Sequence, residues 1–394
     1  MKRREFVKGS LATSAMLYAT SAVGFERIMG ANGTINIGII GTGDRGGGLI
    51  SIINGIPNLR VVACCDIVPF RLEAGMAKVD GKAKGYKNYR KLLDDKNVDA
   101  VLVATPFNTH AQIAIDVLDA GKHVYCEKTL AKGYPAIKAL AKKVKSSNRI
   151  FQTGHQYHSS RLYTYVVEQI RQGKIGNITA LDCQWNRNGN WRRPVPNPKW
   201  ERLINWRMYR EYSGGLLAEL CSHQLDFTNW VLGTTPDKVM GIGGIDYWKD
   251  GRETYDNIHL IYSYPSGVKA TFTCLTSNSM GDYGIKVMGD KGAILLDYDK
   301  AWFYPERNND KELGDVDGVS GATVSWEQGK GIPIEVEHTD PSKQALIDFR
   351  DSVYDNKNTI SGIDSGAQTA ICVQMGLDAM YSNKIVECGL GQFD

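Results

Sequence analysis

The chain has 394 residues, of which 42% are hydrophobic and 23% are charged, which is enough apolar material for two globular domains with cores of their own. Its net charge at pH 7 is only +4, and part of that excess lies in the first eight residues. Charge therefore gives no reason to expect nucleic acid or an anionic membrane as a partner. The eight cysteines show no CxxC pair and no disulfide-framework spacing, so we expect buried, inert thiols.

The N-terminal segment has the features of an export signal. Arg3 and Arg4 precede a mild apolar stretch at 11–23 that Ser and Thr interrupt. This pattern resembles a twin-arginine signal, and the stretch is too short and too polar for a stable membrane span. Residues 1–32 are therefore predicted to be a signal and linker that direct the protein to the periplasm. The alternative is the basic, disordered N-terminus of a cytoplasmic protein.

The first folded unit is predicted at 34–66, as a strand, a glycine turn, a helix and a second strand that ends in a carboxylate. The apolar runs 35–40 and 59–65 are typical of strands buried on both faces. Asp66 follows the second run, where a carboxylate can accept hydrogen bonds from both ribose hydroxyls of an adenosine. An acid there repels a 2′-phosphate, so the sequence favours NAD over NADP.

The turn between these strands has the GxGxxG spacing. Gly41 permits the tight turn, Gly43 lets the backbone approach a pyrophosphate, and Gly46 lets the helix sit close to the strand. The helix that follows would direct its free N–H groups at the phosphates. The alternative is a glycine-rich surface turn beside an ordinary loop aspartate.

Export and a nicotinamide cofactor together have a mechanistic consequence. The twin-arginine route carries proteins that have already folded, whereas nicotinamide cofactors are made and kept in the cytoplasm. An exported enzyme of this type must carry its cofactor with it. We therefore predict tightly bound, non-exchanging NAD, with either a redox-neutral cycle or a second substrate that resets the cofactor.

Strands and helices continue to alternate as far as residue 154. This alternation predicts an α/β Rossmann domain, a doubly wound parallel sheet, at 33–154. After residue 154 strands and helices no longer alternate regularly, and residues 155–394 are predicted to form an α+β domain with an open-faced, mostly antiparallel sheet. Its predicted strands are 178–185, 239–244, 258–264, 268–274, 285–288 and 293–296. Its predicted helices are 162–171, 342–354, 365–381 and one that follows the segment 214–223 and runs through residue 232. The segment 308–331 is the most loop-like part of the chain.

Three further motifs follow the glycine turn in chain order. They are Ala104-Thr105-Pro106 with Thr109-His110, then Gly121-Lys122-His123-Val124 with Glu127-Lys128, then Gly214-Gly215 with Glu219-x-x-x-His223-x-x-Asp226. Together with the glycine turn they resemble the Gfo/Idh/MocA family, which includes glucose-fructose oxidoreductase and inositol dehydrogenase, over essentially everything after the export signal. The resemblance implies a Rossmann domain that binds the nicotinamide cofactor, and a second domain whose open-faced sheet packs substrate against it.

The resemblance assigns roles to three residues. Lys128 matches the lysine of the family's Glu-Lys-Pro motif, with Thr129 in place of the proline. Glu219 and His223 match its Asp-x-x-x-His pair, with Glu in place of Asp. Chemistry agrees, because oxidising a secondary alcohol requires a base for the hydroxyl proton while a hydride leaves the same carbon. A neutral His223 can accept that proton, and Lys128 can hydrogen-bond the reacting oxygen.

Glu219 would lie one helical turn from His223, where it could orient the imidazole or hold a substrate hydroxyl. Each assignment has a structural alternative: a helix-terminal histidine satisfied by backbone for His223, and a solvated surface cation for Lys128. The predicted catalytic residues are Lys128, His223 and Glu219. The predicted cofactor-binding residues are Gly41, Thr42, Gly43, Asp44, Arg45, Gly46, Asp66, Thr105, Pro106, Asn108, His110, Glu127 and Lys128.

The predicted substrate-binding residues are Lys128, His155, Tyr157, Arg187, Asp226 and His223. Asp226 could equally cap and tether its helix. His155-x-x-His158 has no third ligand in a suitable pattern, so we expect no metal. The polar, aromatic loop around Arg187 suits a sugar, although a dimer or interdomain surface explains it as well.

Three functions compete at this point. The leading hypothesis is an NAD-dependent oxidoreductase that acts on a carbohydrate hydroxyl, with position three of a glycoside as the predicted site of oxidation. The second is a glycosidase resembling the NAD-dependent α-N-acetylgalactosaminidases, which use transient oxidation at C3 followed by elimination. The third is a cofactor-stabilised binding protein without turnover. The family resemblance also leads us to expect a homo-oligomer.

Overall fold

The computed structural model of the protein describes residues 33–306 and 331–389. The predicted export signal at 1–32 and nearly all of the predicted loop at 308–331 lie outside the described residues. The described chain forms a six-stranded sheet and a nine-stranded sheet. None of its helices is long and apolar enough to cross a membrane.

The first sheet has the predicted parallel, doubly wound arrangement. Its strands are β1 (Ile35–Ile40), β2 (Leu59–Cys65), β3 (Lys84–Tyr86), β4 (Ala100–Val103), β5 (His123–Cys126) and β6 (Phe151–Thr153). Their order is β3-β2-β1-β4-β5-β6, and every neighbouring pair is parallel. This is the strand order of dinucleotide-binding sheets, in which ligands bind at the carboxyl ends of the strands where the order reverses.

Helices α1 (Asp44–Ile53), α2 (Pro69–Met76), α3 (Tyr89–Leu93), α4 (His110–Asp119) and α5 (Tyr134–Lys145) connect these strands. No pattern in the sequence predicts β3 or α3. The strand has only three residues, with no buried side chain, and the helix has five. Elements this short carry too few residues to establish a hydrophobic period.

The glycine turn adopts a geometry that requires glycine at two positions. Gly41 has a φ of +89°, and a Cβ there would lie 2.5 Å from the carbonyl oxygen of Ala104 at the end of β4. A Cβ at Gly46 would overlap the carbonyl oxygen of Gly41. Helix α1 can therefore begin directly against β1, with its first turn beside the neighbouring strand.

The second half of the chain builds the nine-stranded sheet. Its strands are β7 (Ile178–Asn188), β8 (Lys238–Gly244), β9 (Asn257–Ser263), β10 (Lys269–Leu275), β11 (Ser277–Gly289), β12 (Gly292–Leu296), β13 (Ala301–Pro305), β14 (Ile332–Pro333) and β15 (Val386–Glu387). The order is β14-β13-β12-β11-β7-β10-β9-β8-β15. Only β7 and β10 pair in parallel, and the other neighbouring pairs are antiparallel, as predicted.

Helices α6 (Arg161–Arg171), α7 (Glu201–Ile204), α8 (Ser222–Leu232), α9 (Pro341–Asp355) and α10 (Ile363–Ser382) complete the second half. Side chains alternate along β10 between buried and partly exposed positions, because one face of the sheet covers the core. The other face is open: Met240, Ile242 and Ile261 are 50%, 65% and 43% exposed.

Helix α9 packs on the first sheet rather than on the second. Phe349 is buried against Tyr125 of β5 with ring centroids 5.8 Å apart. Gln152 of β6 donates a hydrogen bond of 2.8 Å to the carbonyl oxygen of Ala345. A helix from near the C-terminus thus completes one apolar layer of the dinucleotide-binding sheet, which local sequence patterns do not indicate.

Gly46→Ala is expected to lower the free energy of unfolding by about 1–3 kcal/mol, because the added methyl group meets backbone that has no room to move. Gly48→Ala, in the same helix, is the matched control. Its Cβ has nothing within 4 Å, so we expect stabilisation by about 0.5–1 kcal/mol. Urea denaturation measures the free energy of unfolding of both variants. Equal changes of the same sign would contradict the close approach of helix and strand at Gly46.

Candidate active site

A cleft of about 1030 Å³ lies where the carboxyl ends of β1, β4 and β5 face the second half of the chain. The first half contributes the glycine turn and the segments after β2, β4 and β5. The predicted residues that line it are Gly41, Gly43, Asp44, Arg45, Asp66, Thr105, Pro106, His110, Glu127, Lys128, Arg187, Glu219 and His223. The structure thus brings residues from both halves of the chain into one cleft.

The dinucleotide end of the cleft leaves the backbone of the glycine turn open to a pyrophosphate. A Cβ at Gly43 would meet nothing closer than the Arg71 guanidinium at 3.4 Å, so the backbone is open to a ligand. The Asp66 carboxylate accepts hydrogen bonds from the backbone N–H groups of Thr42 at 2.9 Å and Val68 at 2.8 Å. These contacts fix the carboxylate at the end of β2. The residues present therefore fit a dinucleotide.

Two cleft residues form an ion pair across the sheet. Arg45 of the glycine turn donates from Nε to Oε1 of Glu127 over 2.7 Å. Burial lowers the pKa of Arg45, but the Glu127 carboxylate more than offsets this, so the pKa lies above its ordinary value. The pair ties the start of α1 to the end of β5.

The Lys128 side chain is half-buried, and its ammonium lies against the backbone of the second half. Nζ donates to the carbonyl oxygen of Glu219 at 2.7 Å and lies 3.4 Å from that of Ala218. Burial lowers its pKa, while the carboxylates of Glu219 and Glu127 oppose the change. The Lys128–Thr129 peptide bond is cis, and the Thr129 hydroxyl also donates to the Ala218 carbonyl oxygen, at 2.9 Å.

Glu219 does not orient the imidazole as its spacing from His223 suggested. Residues Leu217–Cys221 form a π-helical turn before α8. Backbone hydrogen bonds in a π-helix join residues i and i+5 rather than i and i+4, so the α-helical spacing assumed for Glu219 and His223 does not apply. The Glu219 carboxylate instead accepts a hydrogen bond of 2.8 Å from Nε of Arg207. It lines the cleft as half of an ion pair.

His223 lies at the base of the cleft and is 6% exposed. Burial holds the pKa of its imidazole well below the ordinary value, and the cations of Lys128 and Arg45 and the neighbouring His155 ring lower it further. The ring is therefore neutral near pH 7 and able to accept a proton. Its Nδ1 has no hydrogen-bond partner among the described residues.

His155 and Tyr157 lie behind His223 rather than in the cleft. Their ring centroids are 5.9 Å and 5.2 Å from that of His223. The Tyr157 ring also stacks on Tyr163 at 4.4 Å. The placement of these two residues in the substrate site is corrected, since each is a buried neighbour of the imidazole.

Asp226 is also absent from the cleft lining. One carboxylate oxygen lies 2.8 Å from Nε2 of His158, and the other accepts a hydrogen bond of 3.0 Å from the Thr369 hydroxyl. Burial raises the pKa of Asp226, but His158, His155 and Thr369 lower it more. Of the two roles that the sequence left open, the structure favours the tether between α8, α10 and the segment after β6.

Three predicted cofactor residues act through the backbone around them. Thr42 donates to Asp66, Gly46 lies inside the turn, and the Asn108 N–H donates to the carbonyl oxygen of Tyr212 over 3.2 Å. These residues shape the cleft without lining it.

Family models match both halves of the chain. The one described as the oxidoreductase family's NAD-binding Rossmann fold matches residues 35–155, and the one described as its C-terminal alpha/beta domain matches residues 167–388. The chain belongs to the Gfo/Idh/MocA oxidoreductase family. The resemblance drawn from the motifs is thereby confirmed.

Similar Gfo/Idh/MocA proteins include two with stated activities. The 2,7-anhydro-N-acetylneuraminate hydratase of Escherichia coli is 30% identical over 67% of this chain and 68% of its own length. The myo-inositol 2-dehydrogenase of Thermotoga maritima is 28% identical over 67% of this chain and 75% of its own length. Among solved structures, a levoglucosan dehydrogenase in complex with NADH aligns with a TM-score of 0.73 over 90% of this chain and 99% of that chain, at 18% identity. That likeness shows the shared fold.

Three arginines of the cleft, Arg71, Arg193 and Arg207, were not predicted from the sequence of this Gfo/Idh/MocA chain. Arg71 lies beside Gly43, and a basic residue five positions after the β2 carboxylate was the available signal. Arg207 lies in a short turn twelve residues before Glu219 and pairs with its carboxylate. Nothing in the local sequence indicates that contact. Within the residues described, no three potential ligands come together in a way that could hold a metal ion.

Asp226→Asn is expected to destabilise the protein by about 1–3 kcal/mol while leaving sugar affinity unchanged, because the carboxylate is a buried partner of His158. Thr369→Val, which removes the other contact, should cost about 0.5–1.5 kcal/mol. Urea denaturation and sugar titration measure the two quantities. Unchanged stability with weakened sugar binding would return Asp226 to the substrate site.

Proposed function

We propose that the protein is an NAD-dependent oxidoreductase that moves a hydride between a carbohydrate hydroxyl carbon and a tightly held nicotinamide cofactor. We propose C3 of a glycoside as the site of oxidation. The observation that carries this proposal is the cleft shared by the glycine turn, Lys128 and His223. A neutral imidazole and an ammonium beside a dinucleotide cradle form the proton-handling set that alcohol oxidation requires.

The two side chains divide the work in the following way. His223, neutral near pH 7, accepts the proton of the substrate hydroxyl. Lys128 has three N–H donors, two of which face the carbonyl oxygens of Ala218 and Glu219, so the third is free for the reacting oxygen. When bound, NAD accepts the hydride. The Glu219–Arg207 ion pair forms part of the wall around the sugar.

NAD is the proposed cofactor, with NADP disfavoured. Asp66 lies at the end of β2 on the cleft surface. Its carboxylate disfavours a 2′-phosphate and can accept hydrogen bonds from the ribose hydroxyls.

A redox-neutral cycle is the second candidate function. One similar protein is named as a hydratase, and adding or removing water involves no net oxidation. An enzyme that keeps its NAD can oxidise a sugar transiently, eliminate or add a group, and return the hydride, as the glycosidase hypothesis requires.

We also propose that the protein is exported by the twin-arginine route and acts in the periplasm as a homo-oligomer. Arg3 and Arg4 support export. The exposed apolar side chains on the open face of the second sheet support self-association.

Aryl glycosides of several hexoses separate the two functions. The purified protein, loaded with NAD, is mixed with each glycoside while nicotinamide absorbance and free aglycone are followed together. Net reduction of NAD without aglycone release supports the dehydrogenase, and release at constant NAD supports the redox-neutral hydrolase. No change with any sugar contradicts both and favours a binding protein.

His223→Asn should slow turnover of any substrate found in this way by about a hundredfold to ten-thousandfold, because the general base is lost. The bound NAD should remain, because the proposed role of His223 is to accept the hydroxyl proton and not to hold the dinucleotide. His338→Asn, at an exposed position between β14 and α9, is the control and should leave the rate unchanged. An unaltered rate in the His223 variant would remove this residue from the mechanism.

The rate of NAD reduction should fall as pH decreases, because a protonated His223 cannot accept the hydroxyl proton. Its pKa lies well below the ordinary value of about 6.5, so the fall should be centred below that pH and the rate should be on its plateau at pH 7. Single-turnover mixing from about pH 4.5 to about pH 9 measures the profile. A fall centred above about pH 6.5 would contradict a buried, electrostatically suppressed imidazole.

A further inference from the structure

One arginine of the cleft has no acceptor among the residues that the structure describes. Arg187 lies at the end of β7 and lines the cleft. Its guanidinium carbon is 5.4 Å from the ring centroid of Trp185 and 5.9 Å from that of Trp191. Its side chain forms no hydrogen bond and no ion pair with any residue in the described ranges 33–306 and 331–389. Five N–H donors are therefore held between two indole rings without a partner.

The other arginines that the second half contributes to the cleft are paired. Arg207 contacts the Glu219 carboxylate at 2.8 Å, and Arg193 contacts that of Asp44 at 3.1 Å. The positive charge of Arg187 is thus the one that no carboxylate neutralises within this group. A half-buried, unneutralised guanidinium in a ligand cleft attracts an anion.

The loop that carries Trp191 is fixed before any ligand arrives. Trp191 has a φ of +61°, a conformation that bulky residues rarely adopt. The buried Arg252 donates to the carbonyl oxygen of Asn190 at 2.9 Å and pairs with Asp250 at 2.7 Å. These contacts of the neighbouring residues hold the Trp191 indole beside Arg187.

The position of Arg187 also fits the proposed chemistry. The Trp185 ring, which neighbours Arg187, has its centroid 5.9 Å from that of the His223 imidazole. A single indole ring thus adjoins both the proposed base and the unpaired cation. We therefore expect an anionic group on the same sugar ring as the reacting hydroxyl to reach the guanidinium.

We infer that the substrate is a carboxylated sugar, of the uronic acid class, whose carboxylate is bound by Arg187. This inference rests on the proposed function. The planar guanidinium matches a carboxylate through two parallel hydrogen bonds, which a sugar hydroxyl cannot form. Arg187 is a specificity-determining residue on this account, while Lys128 and His223 act on the hydroxyl.

Paired sugars test the inference by binding alone. The protein loaded with NADH is titrated calorimetrically with the methyl glycosides of glucuronic, galacturonic and mannuronic acids, each beside its neutral hexose and its 6-sulfate. In at least one set we expect the uronate to bind about tenfold more tightly than the neutral sugar, or about 1.4 kcal/mol. Arg187→Gln should abolish that preference, and Arg187→Lys should keep only part of it.

Arg161→Gln is the control, because Arg161 lies on α6 outside the cleft and pairs with Asp348 at 3.3 Å. It should leave the uronate preference unchanged. No preference in any set, a preference for the 6-sulfate, or a preference that survives Arg187→Gln would each overturn the inference. A protein that holds NADH but shows no uronate preference contradicts only this inference, whereas one that takes up no nicotinamide nucleotide contradicts the proposed function.

Discussion

The structure depends on how the half-buried ammonium of Lys128 is satisfied. A charged group partly withdrawn from water requires acceptors, and here they are the backbone carbonyl oxygens of Ala218 and Glu219 in the second half of the chain. The Thr129 hydroxyl donates to the same Ala218 oxygen. Hydrogen bonds therefore join the segment after β5 to the π-helical turn before α8. That turn is followed directly by α8, which carries His223.

The same contacts place the chemistry relative to the cofactor cradle. Glu127, which precedes Lys128, pairs with Arg45 of the glycine turn. Nδ1 of His110 lies 2.9 Å from the carbonyl oxygen of Thr129, and Nε2 lies 2.8 Å from that of Thr105. The imidazole therefore joins the segments after β4 and β5. The segments that would hold a dinucleotide are thus connected by hydrogen bonds to the segment that carries Lys128.

The predictions that succeeded were those with a long period or a strict spacing. The fold class was predicted from the buried runs of β1 and β2, the GxGxxG turn and the ordered family motifs. The same motifs singled out Lys128 and His223, which line one cleft in the structure. Those that failed depended on contacts between distant segments or on local helix geometry. The π-helical turn redirected Glu219 towards Arg207, α9 packed on the first sheet, and His158 and Thr369 took Asp226 out of the substrate site.

The central claim is that the first half of the chain grips a nicotinamide dinucleotide tightly enough to carry it through purification. The most direct test is to purify the protein in nucleotide-free buffer, denature it, and identify the released small molecules by mass spectrometry. The account predicts NAD or NADH in an amount stoichiometric with the chain. Protein that releases no nucleotide, and that takes up neither NAD nor NADP when either is added, would contradict it.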